Sequence, residues 1–188
     1  MGQVIQFEER AVARLRERLG LVEEANDDLV AFARGHSGAV ASIHAAALAA
    51  IDATSIEAML EIITCDWPPI LGIDAAAAAL VVDGRGFRAD CGGIERVEAR
   101  FVDRMIGSLG PIEIRSAAAG HPLFGVPAAA KIRAEALIRI DSDAPYPAGL
   151  VALGQRTQLA IETAHGSELL FFLGQIVART LRRCNSLG

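Results

Sequence analysis

The stretch AAAAALVVDGRGFRAD, residues 75–90, decides the fold. An apolar run, Ala75–Val82, and a second strand-like segment, residues 87–90, flank the turn-forming sequence Asp-Gly-Arg-Gly. Two such segments separated by a short, glycine-containing turn predict a β-hairpin. We therefore expect an antiparallel sheet that contains this hairpin.

The segments around the hairpin predict further helices and strands. Upstream, residues 54–57 (Thr-Ser-Ile-Glu) match a capping box that begins a helix, and Pro68 and Pro69 are expected to end it after Trp67. Downstream we expect a helix over residues 94–106, strands at 112–116, 134–141 and 149–154, and a last helix that Ser167 caps and whose Phe172 faces inward. This order predicts an α+β fold, a single antiparallel sheet with helices on one face.

The N-terminal segment shows the spacing of a coiled coil. Apolar residues recur in alternating steps of three and four through Leu15, Leu19, Val22, Asn26 and Leu29, the a and d positions of a heptad repeat. An asparagine at an a position favours a two-stranded pairing. We expect residues 1–51 to form a long helical stalk that dimerises, and residues 52–188 to form the sheet domain. The alternative is an amphipathic helix packed on its own domain, which Gly20, Gly35 and Gly38 favour because each weakens a helix.

Composition and charge exclude several classes of protein. The chain has 188 residues, 52% of them apolar, and a net charge of −5, which predicts a folded core and argues against nucleic-acid binding. No apolar stretch approaches the roughly 20 residues that span a bilayer. Three widely spaced cysteines without a paired motif, and an N-terminus without signal-peptide character, favour a cytoplasmic location.

The sequence contains no pattern that predicts a catalytic residue, a metal site or a cofactor. The segment GHSGA, residues 35–39, lacks the last glycine of a nucleophile elbow. His36 and His44 lie eight residues apart, twice the spacing of a ligand pair on one helix face. Cys91 follows a strand and precedes two glycines, so we expect it to be accessible, and Cys65 is expected in the core. We expect no enzyme activity from either thiol.

Four residues form a weak candidate for a ligand site. Arg115, His121, Phe124 and Arg133 lie near strand ends and around an irregular segment that is expected to cover the second face of the sheet. Two arginines there favour a small anionic metabolite or a nucleotide. The alternative is that these side chains form a solvent-facing row, with the arginines paired to Glu113, Glu135 or other carboxylates.

Several long segments carry a resemblance to a known family. They are residues 7–34 (FEERAVARLRERLGLVEEANDDLVAFAR), 131–141 (KIRAEALIRID), 148–156 (AGLVALGQR) and 164–181 (AHGSELLFFLGQIVARTL). These segments resemble the GAF-like proteins of the domain-of-unknown-function 484 family. The resemblance implies a GAF-like sheet domain preceded by a coiled coil, and it brings no catalytic residues.

The resemblance also implies a class of function. GAF-like domains generally bind small molecules or pair to pass signals. We therefore expect a homodimeric, cytoplasmic protein with a regulatory or ligand-sensing role. The alternative is a scaffold that binds no small molecule and presents a dimeric GAF fold to a protein partner.

Overall fold

The computed structural model describes residues 38–107, 109–142, 146–157 and 163–186. The chain divides into two compact units, Met1–Val40 and Ala41–Gly188, and the second contains the sheet. The heptad positions from Leu15 to Leu29 lie outside the described residues, so the coiled coil and its dimer stay predictions.

Helices and strands follow one another in a mixed order along the described chain. They are helix α1 over residues 38–51, α2 Ile56–Glu61, a π-helical turn Ile62–Asp66, α3 Trp67–Leu71, β1 Ala75–Val82, β2 Arg85–Asp90, β3 Gly93–Val97, α4 Ala99–Ile106, β4 Ile112–Ser116, a 3₁₀ turn Pro122–Phe124, α5 Val126–Ala129, β5 Ala134–Ile140, β6 Ala148–Gln155 and α6 Thr163–Ser186.

The six strands form one sheet in the order β3-β2-β1-β6-β5-β4, and every neighbouring pair is antiparallel. The predicted hairpin is β1–β2. Its turn consists of Asp83 and Gly84, with φ angles of 49° and 73°, the pair of positive angles that a type I′ turn requires. The ladder continues to Arg85 opposite Val82, so β2 begins two residues earlier than the predicted strand.

Both faces of the sheet are covered. On the first face, alternate residues of β1 such as Ala76 and Ala78 join a core with α1, α2, the π-helical turn and α6. On the second face, Ala77 and Ala79 join a core with α4 and the segment 117–133. The expectation of helices on one face is therefore wrong, because α4 and α5 lie on the second face.

The boundaries of the first helices differ from the predicted ones. Ser55, one residue after the predicted cap, accepts a hydrogen bond from the backbone N–H of Ala58 (3.1 Å) and caps α2. The prolines do not end the helical segment, since the π-helical turn leads into α3, with Pro68 in its first turn. A proline is tolerated there because first-turn residues need no intrahelical N–H donor.

Three further predictions are corrected downstream. Ile94 and Val97 lie on strand β3, and the second helix spans only Ala99–Ile106. Ser167 lies inside α6, which extends from Thr163 to Ser186. Phe172 is 44% exposed, because the buried stripe of α6 runs through Leu173, Val177 and Leu181.

The end of α1 packs into the sheet domain. Ile43, Ala47 and Ala50, which continue the N-terminal heptad pattern, are buried in the first-face core, so these positions do not face a second chain. Trp67 donates its indole N–H to the carbonyl of Ala46 (3.1 Å). The compact unit begins at Ala41, whereas the predicted domain boundary follows Ile51.

A glycine at the centre of the sheet provides a test of this packing. A Cβ on Gly149 would overlap the backbone oxygen of Ala79 and the side chain of Leu80, so we expect Gly149→Ala to lower the free energy of unfolding by about 3 kcal/mol. Gly166→Ala is the control, because its Cβ would meet only Ile114 at 4.0 Å and alanine favours a helix by up to about 1 kcal/mol. Urea unfolding that shows equal effects of the two substitutions contradicts the packing.

Candidate functional site

The predicted ligand residues Arg115 and His121 meet at a buried carboxylate. Glu135 on β5 lies opposite Arg115 on β4, and its side chain is fully buried. It accepts hydrogen bonds from the Arg115 Nε (2.7 Å) and from the backbone N–H of His121. Arg115 also donates to Glu113 (2.8 Å), so its guanidinium is bonded to two carboxylates.

This pairing favours a structural role for Arg115 over anion binding. Although burial opposes it, hydrogen bonding to Glu135 raises the pKa of Arg115. Arg133 donates to the backbone carbonyls of Ala118, Ala130 and Ile132 at 2.9–3.0 Å. Arg133 therefore bonds within the segment 117–133, and the bond from His121 N–H to Glu135 fastens that segment to the sheet.

A second hydrogen bond, from β2, holds the same segment from the other half of the sheet. Arg88 on β2 donates its Nε to the carbonyl of Leu123 (3.0 Å). Its other nitrogens bind Glu95 (2.6 Å) and Asp90 (2.7 Å), and only 13% of its side chain is exposed. The 3₁₀ turn is therefore held between the two charged clusters.

A cavity of about 410 Å³ lies at the end of the sheet where β1 begins and β2 and β6 end. Its volume falls within the range of small-molecule sites. Apolar walls come from Pro68, Ala75, Ala76, Phe124, Ala128 and Ile132, and the polar lining comes from Thr64, Cys65, Asp74, Asp90, Cys91 and Arg156.

Close packing positions the apolar walls of the cavity, and local hydrogen bonds position some of its polar residues. A Cβ on Gly154 would lie 2.9 Å from the Phe124 ring and 2.8 Å from Ile132, so this glycine lets both side chains pack onto β6. Asp74 accepts a hydrogen bond from the backbone N–H of Arg156 (2.8 Å). The Arg156 side chain is 60% exposed and lies 3.8 Å from the Asp74 carboxylate, so this weak pair leaves its guanidinium accessible.

The cavity unites residues that the sequence analysis did not connect. Cys65 and Cys91 line the same space although 26 positions separate them. Both are exposed and Cys184 is buried, so accessibility of Cys91 is confirmed and a core position for Cys65 is wrong. Of the four predicted ligand residues, Phe124 lines this cavity. Within the described ranges, no group of three His, Cys, Asp or Glu side chains is placed to hold a metal ion.

The paired state of Arg115 leads to a stability prediction. Arg115→Ala removes the cation from the buried Glu135, and we expect a loss of about 2 kcal/mol in the free energy of unfolding. Glu113→Ala removes only the exposed partner and is expected to cost less than about 0.5 kcal/mol. Equal losses for the two variants in urea unfolding would show that the buried carboxylate does not depend on Arg115.

His121 predicts a pH dependence of stability. Burial lowers its pKa below 6.5, outweighing the opposing effect of Glu135, and its Nδ1 accepts the backbone N–H of Leu123 (3.2 Å). The folded state therefore disfavours the protonated ring. The contribution of the neutral His121 ring to the free energy of unfolding is present above about pH 6.5 and decreases as the pH falls below that value.

The test compares His121→Asn with the wild type. The asparagine oxygen accepts the same N–H at every pH, so the variant should lose less stability between pH 7.5 and 5.5 in urea titrations. His44→Asn, at an exposed position on α1, should keep the wild-type dependence. An unchanged pH profile in His121→Asn would contradict this role.

Solved structures with this fold include sensory and enzymatic proteins. A free methionine-R-sulfoxide reductase from Neisseria meningitidis, in complex with its substrate, is 14% identical (TM-score 0.55; 78% of this chain, 89% of that chain). The GAF domain of a two-component sensor histidine kinase from Bacillus halodurans is 13% identical (TM-score 0.53; 72% and 99%). The chromophore-binding domain of a bacteriophytochrome from R. palustris is 13% identical (TM-score 0.50; 78% and 60%).

These similarities establish the fold. The chain spans 37% to 60% of the length of the bacteriophytochrome structures that it resembles. No curated protein matches the sequence, and no helix in the described part of the chain is long and apolar enough to cross a membrane. The model of the family described as "Protein of unknown function, DUF484" matches residues 1–186. The chain is therefore a member of the DUF484 family, with a GAF-like sheet domain.

Proposed function

We propose that this protein is a GAF-like regulatory domain that senses a small ligand in the cavity at the end of the sheet. The observation that carries the proposal is the cavity itself, about 410 Å³ in volume, with apolar walls and with polar residues from separate parts of the chain. Small-molecule sites combine an apolar hollow with a few placed polar groups in this way.

The lining defines the chemistry of the ligand. Phe124 and Ile132 are buried and offer an apolar surface. Arg156, with an accessible guanidinium, supplies a donor for an anionic or carbonyl oxygen, and Asp90 supplies an acceptor. The ligand is therefore a small amphipathic molecule, with its apolar part against the Phe124 ring and a polar group near Arg156.

The structural neighbours support small-molecule binding by this fold. One of them is in complex with its substrate, and another is a chromophore-binding domain. At 13–14% identity they share only the fold with this chain, so they do not identify its ligand. The proposal assigns no catalytic step to Cys65 or Cys91.

The fastened segment offers a route from ligand to output. Phe124 lines the cavity, and the neighbouring Leu123 carbonyl is bonded to Arg88. A ligand that contacts Phe124 therefore acts on a segment that two charged clusters hold. Such a ligand would shift the conformation of this segment only through contacts that differ between two conformations.

The proposed function includes the dimeric assembly that the sequence predicts. We infer a homodimer that pairs through the N-terminal helix and works in the cytoplasm. The a/d spacing from Leu15 to Leu29 supports the pairing, and the free cysteines are compatible with a reducing compartment.

A non-binding scaffold is the second candidate, and one observation favours it. The middle of the second face is filled with buried side chains, including Val102, Leu123 and Leu150, as expected for a domain whose interior holds no ligand. Phe171 and Phe172 on α6 are 48% and 44% exposed, which gives a protein partner an apolar surface.

A thermal-shift screen with two matched variants tests the ligand-sensing proposal. We expect at least one compound from a set of nucleotides, amino acids and haem-like molecules to raise the Tm of the wild type, because a ligand of the folded state stabilises it. Ala128→Leu, which fills the cavity, should abolish the shift. Ala130→Leu, at an exposed position outside the cavity, should retain it.

Alkylation by iodoacetamide locates the ligand independently. A compound in the cavity should slow the modification of Cys65 and Cys91 in the folded protein, while buried Cys184 stays unmodified with or without it. A screen without any shift, or a shift that survives in Ala128→Leu, contradicts the cavity site and favours the scaffold.

A further inference from the structure

Three arginines line one groove beside the β1–β2 turn. The groove has a volume of about 470 Å³ and is formed by the turn, the end of β3 and the start of α4. Arg85, Arg96 and Arg100 line it together with Gly84, Gly86, Val97, Glu98 and Ala99. It involves none of the residues of the cavity at the other end of the strands.

The arginines of this groove differ from four other arginines of the domain in their charged partners. Arg88, Arg115, Arg139 and Arg156 each pair with a carboxylate. In the ranges that the structure describes, no ion pair involves the three groove arginines. Their like charges lie around one hollow, which Glu98 also lines without forming an ion pair with them among the described residues. Such an arrangement favours an anion, which removes the mutual repulsion.

The backbone segments around the groove pack closely against one another. A Cβ on Gly86 would lie 2.7 Å from the Val97 oxygen and 2.9 Å from the Ala99 nitrogen, so the glycine allows the turn to lie against the start of α4. The Glu98 side chain does not cap this eight-residue helix. Its first-turn N–H groups therefore add a positive potential to that of the arginines.

We propose that this groove binds the phosphate group of a small phosphomonoester. Three arginines and one glutamate leave a local net charge of +2, which balances the charge of about −2 on a phosphomonoester above its second pKa near 6. Planar guanidinium groups match phosphate oxygens in paired hydrogen bonds. The groove is larger than a phosphate group alone, which leaves space for the group that carries it.

The binding of glycerol 3-phosphate, with inorganic phosphate alongside, tests this site. We expect saturable binding by calorimetry, with ¹⁵N amide shifts concentrated at Gly84, Gly86 and Ala99. Affinity should fall as the pH decreases from 7.5 to 5.5, because the phosphomonoester gains a proton there.

Matched variants assign the binding to the groove. Arg96→Gln and Arg100→Gln should each weaken the binding about tenfold, the size expected for a charge-assisted hydrogen bond. Arg179→Gln, at an exposed position on α6, should stay within about twofold of the wild type. Ala128→Leu should also bind normally, so failure of the cavity proposal and failure of this one are distinguishable.

Four outcomes would overturn the proposal. They are the absence of saturation up to about 20 mM, an equal loss of affinity in Arg179→Gln, amide shifts centred outside the groove, and binding to phosphatidic acid vesicles without binding to glycerol 3-phosphate. The last result would assign the arginines to a lipid surface. Retention of the fold in each variant is checked by circular dichroism.

Discussion

A sheet that is covered on both faces leaves its central strand no side open to water, and the rest of the structure depends on this constraint. Strand β1 satisfies it with alanines, which are buried on alternating sides between α6 and α4. Small side chains let both layers approach the sheet closely. Gly149 and Gly154 on the neighbouring strand do the same, because a Cβ at either position would overlap its neighbours. The fold thus gains its packing from small residues at the centre and larger ones in the covering layers.

The segment 117–133 follows from the same constraint. It covers the second face without forming a strand, so polar contacts must hold it in place. Arg88 binds the Leu123 carbonyl from one side, and Glu135 binds the His121 N–H from the other. Each of these charges is paired, as burial requires. Arg115, a predicted ligand residue, therefore pairs with the same Glu135 carboxylate that holds the segment carrying one wall of the cavity.

The two proposed sites lie at opposite ends of β1 and differ in chemistry. The cavity at the start of β1 is largely apolar, and Arg156 in its lining is available to bind a polar group of a ligand. The groove at the end of β1 is open and arginine-lined. Strand β2 joins them, since Arg85 begins it and Asp90 ends it. Ligands at the two proposed sites would therefore contact the two ends of one strand.

The local sequence correctly predicts those elements that form without contacts from residues distant in the chain. Strand β4 has the predicted bounds, and Asp83–Gly84 forms the turn of the β1–β2 hairpin with positive φ angles. The predictions are wrong for elements whose structure depends on a partner that is distant in the sequence. Ile94 and Val97 fit a helical spacing, but pairing with β2 makes them a strand. The prolines after Trp67 signal an end, but the π-helical turn places Pro68 where no N–H is needed.

The functional sites show the same division. The sequence alone shows the residue types and the family resemblance, because the segments that carry the resemblance (residues 7–34, 131–141, 148–156 and 164–181) are local patterns. Only the tertiary structure decided that Arg115 is bonded to Glu135, that Cys65 shares a cavity with Cys91, and that Arg96 lies beside Arg85. The physical reason is strand register: antiparallel pairing brings together residues far apart in the chain, and no short-range spacing encodes which side chains then meet.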